Sequence, residues 1–243
     1  MTRIVGVVQA RMSSTRLPGK VLRPVAGRSV LGWVVRAARA ADVLDELVVA
    51  TSTEPGDDAV AAEAERLGVE AVRGSVHDVL SRFIAVLDGR KADAVVRFTA
   101  DCPLLDPTVV ATAVNAWRTA PWLDYVSTAL PRSVPRGMDV EVIRADTLRA
   151  LDGVATDHHR VHVTSAVYTE PAAYRMLGVT FHPDASDLRV TLDTSDDLRL
   201  IEAVVAHFGD RPPAMPELVD WLRANSGVTD LNAHIRQKVL EAG

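Results

Sequence analysis

Arg3-Ile4-Val5-Gly6-Val7-Val8-Gln9 runs directly into Ala10-Arg11-Met12-Ser13-Ser14-Thr15-Arg16-Leu17-Pro18-Gly19-Lys20, and this junction decides the fold. The first part is almost continuously apolar, as a strand covered on both faces of a parallel sheet must be. The second gathers three cations (Arg11, Arg16, Lys20) and three hydroxyls (Ser13, Ser14, Thr15) between that strand and a helix expected over Ser29 to Ala41. Open α/β sheets bind ligands at the carboxyl ends of their strands. Backbone N–H groups, hydroxyls and cations in one loop suit a triphosphate. The loop is not a Walker motif, because the GxxxxGK[ST] spacing is absent. The plainer alternative is a solvated basic loop.

Outward from this junction the alternation continues. Strands are expected over Glu46–Thr51, Val69–Arg73 and Asp93–Phe98, with helices over Asp57–Leu67, His77–Leu87 and Pro107–Thr119. Strands alternating with helical patterns predict an α/β fold with a doubly wound, mostly parallel sheet. From Asp124 the rhythm changes. Short strands over Tyr125–Thr128, Met138–Ile143 and Tyr174–Val179 surround the polar segment Thr156–His162, which predicts a small mixed α+β lobe at about 125–180 within a single domain spanning 1–243. Leu188–Leu192 reads as a returning strand. Helices are expected over Ser195–Phe208, capped by Ser195, over Met215–Ala224 and in the tail Asp230–Gly243.

Composition narrows the classes of function. Net charge is −5 from 27 basic and 32 acidic residues, and aromatic residues make up 5% of the chain. A nucleic-acid-binding module would show a basic stripe with stacking aromatics, so the expected nucleotide partner is small. No run approaches the roughly 20 apolar residues of a membrane span. The N-terminus lacks an apolar core followed by a small-residue cleavage site, and the single cysteine, Cys102, excludes an internal disulfide. The expected compartment is the cytoplasm.

Two further strand ends carry carboxylates. Asp101 follows the strand ending VVRF, in Thr99-Ala100-Asp101-Cys102-Pro103-Leu104-Leu105-Asp106, and Asp193 follows Arg189-Val190-Thr191-Leu192. Mg²⁺ is held by one or two carboxylates together with phosphates and water. Taken alone, Asp101 serves equally well as a turn residue. Asp106, before Pro107, reads as a helix cap, and Ser195, Asp196 and Asp197 read as an ordinary helix start. His158, His159 and His162 lack the ligand spacing of a zinc site, and no G-x-S-x-G elbow marks a serine hydrolase.

ARMSSTRLPGK resembles the opening signature of the cytidylyltransferases that activate sugar acids, especially the spore coat polysaccharide biosynthesis protein F family. VVATSTEPGDD, VRGSVHDVLSRF, VVRFTADCPLLDP, DYVSTALPRSVPRGMDVEV, RVHVTSAVY and RVTLDTSDDLRLIEAV resemble further blocks of that family in the same order. The resemblance implies a Rossmann-like nucleotidyltransferase fold and transfer of CMP from CTP to an anionic acceptor. It implies that Gln9, Ala10, Arg11, Ser13, Ser14, Arg16 and Lys20 bind the nucleotide phosphates, and that Thr51, Arg73 and Ser75 lie near the base. Asp101 and Asp193 would hold Mg²⁺, with Arg11, Lys20 and Asp101 catalytic. Arg136, Asp139, Glu141, Arg160 and His162 would face the acceptor, and a homodimer would form through the region around Tyr125 to Thr180. Arg136 and Val161 depart from the family pattern and leave the acceptor open. A glycosyltransferase using a ready-made nucleotide sugar has a similar fold but usually carries Asp-x-Asp at a strand end, where this chain has TLDTSDD. A non-catalytic nucleotide-binding protein would be expected to lack Lys20 or Asp101.

Overall fold

A computed structural model describes residues 2–211 and 213–237. Strand β1 (Ile4–Gln9), buried up to the half-buried Gln9, is an interior strand, third from one edge of a seven-stranded sheet of the described residues. A short hairpin, β2 (Pro24–Val25) and β3 (Arg28–Ser29), leads into helix α1 (Val30–Ala40), whose first turn is capped by the Ser29 side chain. Then follow β4 (Glu46–Ser52), α2 (Asp58–Arg66), β5 (Glu70–Gly74), α3 (Val79–Leu87), β6 (Ala94–Thr99) and α4 (Pro107–Thr119). Asp106 caps α4 as expected, accepting from Thr108 N at 2.7 Å.

The remaining elements are β7 (Tyr125–Ser127), β8 (Glu141–Arg144), α5 (Ala145–Asp152), α6 (His158–His162), α7 (Ser165–Thr169), β9 (Met176–Gly178), α8 (Ser195–Phe208), α9 (Met215–Ala224) and α10 (Ser226–Thr229). Strand order is β5-β4-β1-β6-β8-β7-β9. β5, β4, β1 and β6 are parallel, β8 is antiparallel to β6 and β7, and β9 is parallel to β7. The chain passes from β1 to β4 and β5 on one side, then crosses to β6 on the other. This is the doubly wound α/β sheet expected, and its topological switch lies between β1 and β6, where such sheets open a crevice for ligands. Apolar side chains pack against both faces. One cluster includes Trp33, Phe98 and Trp117, and the other Phe83, Ile143 and Leu148.

Four expectations are corrected. Leu188–Leu192 does not join the sheet, and among the described residues it makes a single bridge, Arg136 with Arg189. Arg136 N donates to Leu188 O at 2.9 Å, Val190 N to Arg136 O at 2.7 Å and Leu192 N to Asp101 O at 2.8 Å, so loops satisfy its backbone. The strand expected from Met138 begins only at Glu141, because the preceding residues turn at Gly137 to meet that segment. Thr194, not Ser195, caps α8, in a capping box with Asp197. The tail expected to be helical from Asp230 forms turns and irregular backbone up to residue 237, and residues 238–243 lie outside the described ones.

Gly137 has φ +107°, and a Cβ there would lie 2.6 Å from Thr191 N. The Arg136–Gly137 turn therefore presses on the segment that carries Asp193, and only glycine fits. Gly137→Ala should destabilise the protein by about 1–3 kcal/mol from backbone strain alone, measured by urea denaturation. Unchanged stability would mean that this contact is loose.

Candidate active site

The loop after β1 is folded by its own backbone and by one buried acid. Ser14 N and Gly19 N both donate to Met12 O, at 2.9 and 3.0 Å, and Gly19 takes the left-handed conformation at φ +68°. Met12 N donates to Asp57 Oδ1 at 2.6 Å, and the other Asp57 oxygen accepts from Ser52. The loop thus closes back on itself and is tied to the end of β4. It returns Lys20, whose side chain is buried, to the carboxyl ends of β1 and β6.

Lys20 Nζ lies 2.6 Å from Asp101 Oδ2 and 2.7 Å from Asp193 Oδ1. Both carboxylates are held to the same spot, because Leu192 N and Thr191 Oγ1 each donate to the Asp101 carbonyl, at 2.8 and 3.2 Å. Arg16 and Arg189 meet the other Asp193 oxygen, each at 2.8 Å. Burial alone would lower the Lys20 pKa, but Asp101 and Asp193 outweigh it and raise it. For Asp193, burial acts to raise the pKa, and Lys20, Arg189 and Arg16 overcome it, bringing the value to about 2.

Two cavities meet at this cluster. The first, of about 550 Å³, is lined by Gln9, Ala10, Arg11, Ser13, Ser14, Arg16 and Lys20 from the loop, and by Asp101, His162 and Asp193. The second, of about 510 Å³, is lined by Arg136, Asp139 and Glu141 and shares Arg16, Thr99, Asp101, His162 and Asp193 with the first. Every phosphate-loop residue named from sequence faces the first cavity. Asp101 and Asp193 sit in the wall between the two.

Other expected residues are engaged elsewhere. Glu141 is buried and accepts from Arg97, Tyr125 and Thr164, so its oxygens hold the floor of the second cavity and do not reach into it. Asp139 is paired with Arg132 through two hydrogen bonds. Arg136 makes no ion pair among the described residues; burial and then Arg132 lower its pKa. Thr51, Arg73, Ser75 and Arg160 line neither cavity. Thr51 is buried at the end of β4. Arg73 donates to Ser52 O at 2.8 Å and pairs with Asp58, which pins the turn between them. Ser75 accepts from His77 N and Asp78 N before α3. Arg160 is clamped by Asp78 and Asp152 at 2.6 and 2.7 Å, which joins α6 to α3.

Arg82 is the residue that sequence reasoning missed. It lines the first cavity from α3 and is 2% exposed, yet its Nε and Nη1 find no hydrogen-bond partner among the described residues. Burial, and then the nearby Arg11, lower its pKa to about 10. A buried polar group without a partner calls for an explanation, and an anion in the cavity would supply one. The signal was present: Arg82 interrupts the apolar helical face of Val79, Leu80, Phe83, Val86 and Leu87.

The sequence model of the family described as "Cytidylyltransferase" matches residues 5–206, and the chain belongs to this family. It is 33% identical over 235 residues to the spore coat polysaccharide biosynthesis protein SpsF of Bacillus subtilis, covering 93% of this chain and 96% of that one. It is 29% identical to the 3-deoxy-manno-octulosonate cytidylyltransferase of Acidobacterium capsulatum, over 83% of this chain and 96% of that one. A solved cytidylyltransferase structure from Leptospira borgpetersenii superposes with TM-score 0.90 at 25% identity, covering 98% of this chain and 100% of the other. Among the described residues no helix is long and apolar enough to cross a membrane.

The lowered pKa of Asp193 fixes the sign of a pH effect. The ionised carboxylate contributes stability above its ordinary value of 3.8, and this is lost as pH falls toward about 2. Between pH 4 and pH 2 the wild type should therefore lose stability more steeply than Asp193→Asn in urea titrations. Parallel pH dependences would show that Asp193 is not held by its cations.

Proposed function

We propose that the protein transfers CMP from CTP to a hydroxyl of a small anionic acceptor, releasing pyrophosphate. The observation that carries this reading is the cluster of Lys20, Asp101 and Asp193 between two cavities, with the phosphate-type loop walling one of them. The first cavity would take the nucleotide and the second the acceptor. The acceptor oxygen forms a bond to the α-phosphorus as the bond to the bridging oxygen breaks; the electron pair leaves with pyrophosphate and the acceptor proton is released.

Transfer at phosphorus depends mainly on positioning and charge neutralisation. In this reading Arg11, Arg16 and Lys20 balance the charge that grows on the departing pyrophosphate, and Ser13 and Ser14 donate hydrogen bonds to phosphate oxygens. Gln9 and Ala10 shape the cavity floor. Arg82 lends its unsatisfied N–H groups to the nucleotide, and Arg136 and His162 face the acceptor.

Asp101 Oδ2 and Asp193 Oδ1 both lie within 2.7 Å of the Lys20 nitrogen, so the two oxygens converge on a point that the Lys20 ammonium fills, and a metal ion held by both would take its place there while Lys20 turns to the phosphates. Two converging carboxylates are a donor set that suits a hard cation. Mg²⁺ held by them would supply further charge neutralisation at the phosphates. The remaining parts of the reading are a cytoplasmic location and a homodimer formed beside the edge strand β9, where Leu130 and Leu177 are exposed.

The reading is tested by pyrophosphate release with each of the four NTPs against a panel of sugar acids, sugar phosphates and phosphonates. Turnover with CTP and one anionic acceptor is expected, and Lys20→Ala should reduce it by about 10²–10³-fold, as loss of one preorganised charge does. Arg82→Met should weaken CTP protection against thermal unfolding. No CTP-dependent release with any acceptor, together with equal thermal shifts for all four NTPs, would overturn the assignment.

A further inference from the structure

Behind Asp193 lies a mostly buried polar network that the transfer chemistry described above does not use. Arg189 is its hub. Its Nη2 donates to Asp193 Oδ2 at 2.8 Å, its Nε to Asp197 Oδ1 at 2.8 Å and its Nη1 to Gln237 Oε1 at 3.1 Å. Asp197 is fully buried, and its Oδ2 accepts from the backbone N–H groups of Asp193 and Thr194, both at 2.9 Å. Asn232, 3% exposed, donates to Asp197 Oδ1 at 2.8 Å and to the Arg189 carbonyl at 3.1 Å.

This arrangement does more than stabilise a helix start. A capping box needs Thr194 and Asp197 alone. Here Asp197 also accepts from the backbone N–H of Asp193, so the main chain of Asp193 is fixed along with its side chain. Arg189 holds Oδ2 and leaves Oδ1 directed at Lys20. The carboxylate is thereby restrained to present one chosen oxygen to the cavity wall. Lysine could carry the charge of Arg189, but one ammonium cannot span Asp193, Asp197 and Gln237 as a planar guanidinium does.

The segment that completes the network lies beyond residues 5–206, where the family match ends. Asn232 and Gln237 both come from it, and Gln237 also lines the second cavity. We infer that Arg189 is a positioning residue for Asp193, locked by Asp197 and Asn232, so that the C-terminal segment is part of the active-site machinery. The inference rests on the reading of Asp193 as a ligand to a divalent cation. Partners behind a ligating group commonly contribute 10–100-fold to metal affinity.

The test is Mn²⁺ binding to the full chain in the presence of CTP, followed by electron paramagnetic resonance, for wild type, Arg189→Lys, Asn232→Ala and Asp193→Asn. Thermal midpoints are measured on the same samples without metal. Arg189→Lys should weaken Mn²⁺ binding by about 10–100-fold and lower kcat with little change in the KM for CTP; Asn232→Ala should act in the same direction but less. A purely structural role would lower the thermal midpoint and leave Mn²⁺ affinity and kcat per folded molecule unchanged. If Asp193→Asn weakens Mn²⁺ binding while Arg189→Lys and Asn232→Ala do not, the positioning role alone is overturned. If Asp193→Asn also binds Mn²⁺ normally, the metal reading falls and takes the positioning role with it.

Discussion

A buried ammonium held between two carboxylates from distant parts of the chain is the constraint on which the site depends. Burying the Lys20 ammonium and partly burying Asp101 and Asp193 carries a desolvation penalty, which their pairing at 2.6 and 2.7 Å offsets. The three residues come from the loop after β1, the turn after β6 and the segment after Leu192. Each of these must therefore be placed accurately, and each is tied down by backbone hydrogen bonds. The Asp101 carbonyl accepts from Leu192 N and Thr191 Oγ1, and Met12 is secured by Asp57. A loop free to move could not keep these ions paired.

Sheet topology supplies the meeting place. β1 pairs with β4 on one side and β6 on the other. The chain segments leaving β1 and β6 consequently diverge above the carboxyl edge and leave a crevice. The antiparallel β8 next to β6 carries Glu141 under the second cavity, where Arg97 bridges it to Gln9 on β1. One crevice is thus divided into two cavities by a polar wall, with a continuous hydrogen-bonded floor beneath.

The parts of this architecture that were legible in the sequence are those written in local pattern. Apolar runs bounded by turns fixed β1, β4, β5 and β6, and Asp106-Pro107 marked the start of α4. The loop cations and the strand-terminal aspartates were recognisable because chemistry concentrates at strand ends. Leu188–Leu192 has a strand's composition but, lying against the Arg136–Gly137 turn, has loops for partners, and single-residue patterns carry no information about partners. Arg73 and Arg160 read as ligand-binding cations, but in the structure they pair with Asp58, Asp78 and Asp152 and line neither cavity. Arg82 drew no reading of its own, because what distinguishes it is burial without a hydrogen-bond partner among the described residues. Charge that is already paired and charge that is still available look alike in sequence.

That distinction also separates the two cavities. In the second, Arg97 is matched by Glu141 and Arg132 by Asp139, which leaves Arg136 as the cation without an ion pair among the described residues that line it. In the first, Arg11 and Arg82 make no ion pair among the described residues, beside the loop hydroxyls. On the proposed reaction this asymmetry is what the two substrates require, since a triphosphate brings several negative charges and a small acceptor brings few. Arg16 pairs with Asp193 in the wall common to both cavities, adjacent to where the phosphoryl group would change partners. Among the described residues two arginines without an ion pair line the first cavity and one lines the second, which on the proposed reaction matches a triphosphate in the first and a less charged acceptor in the second.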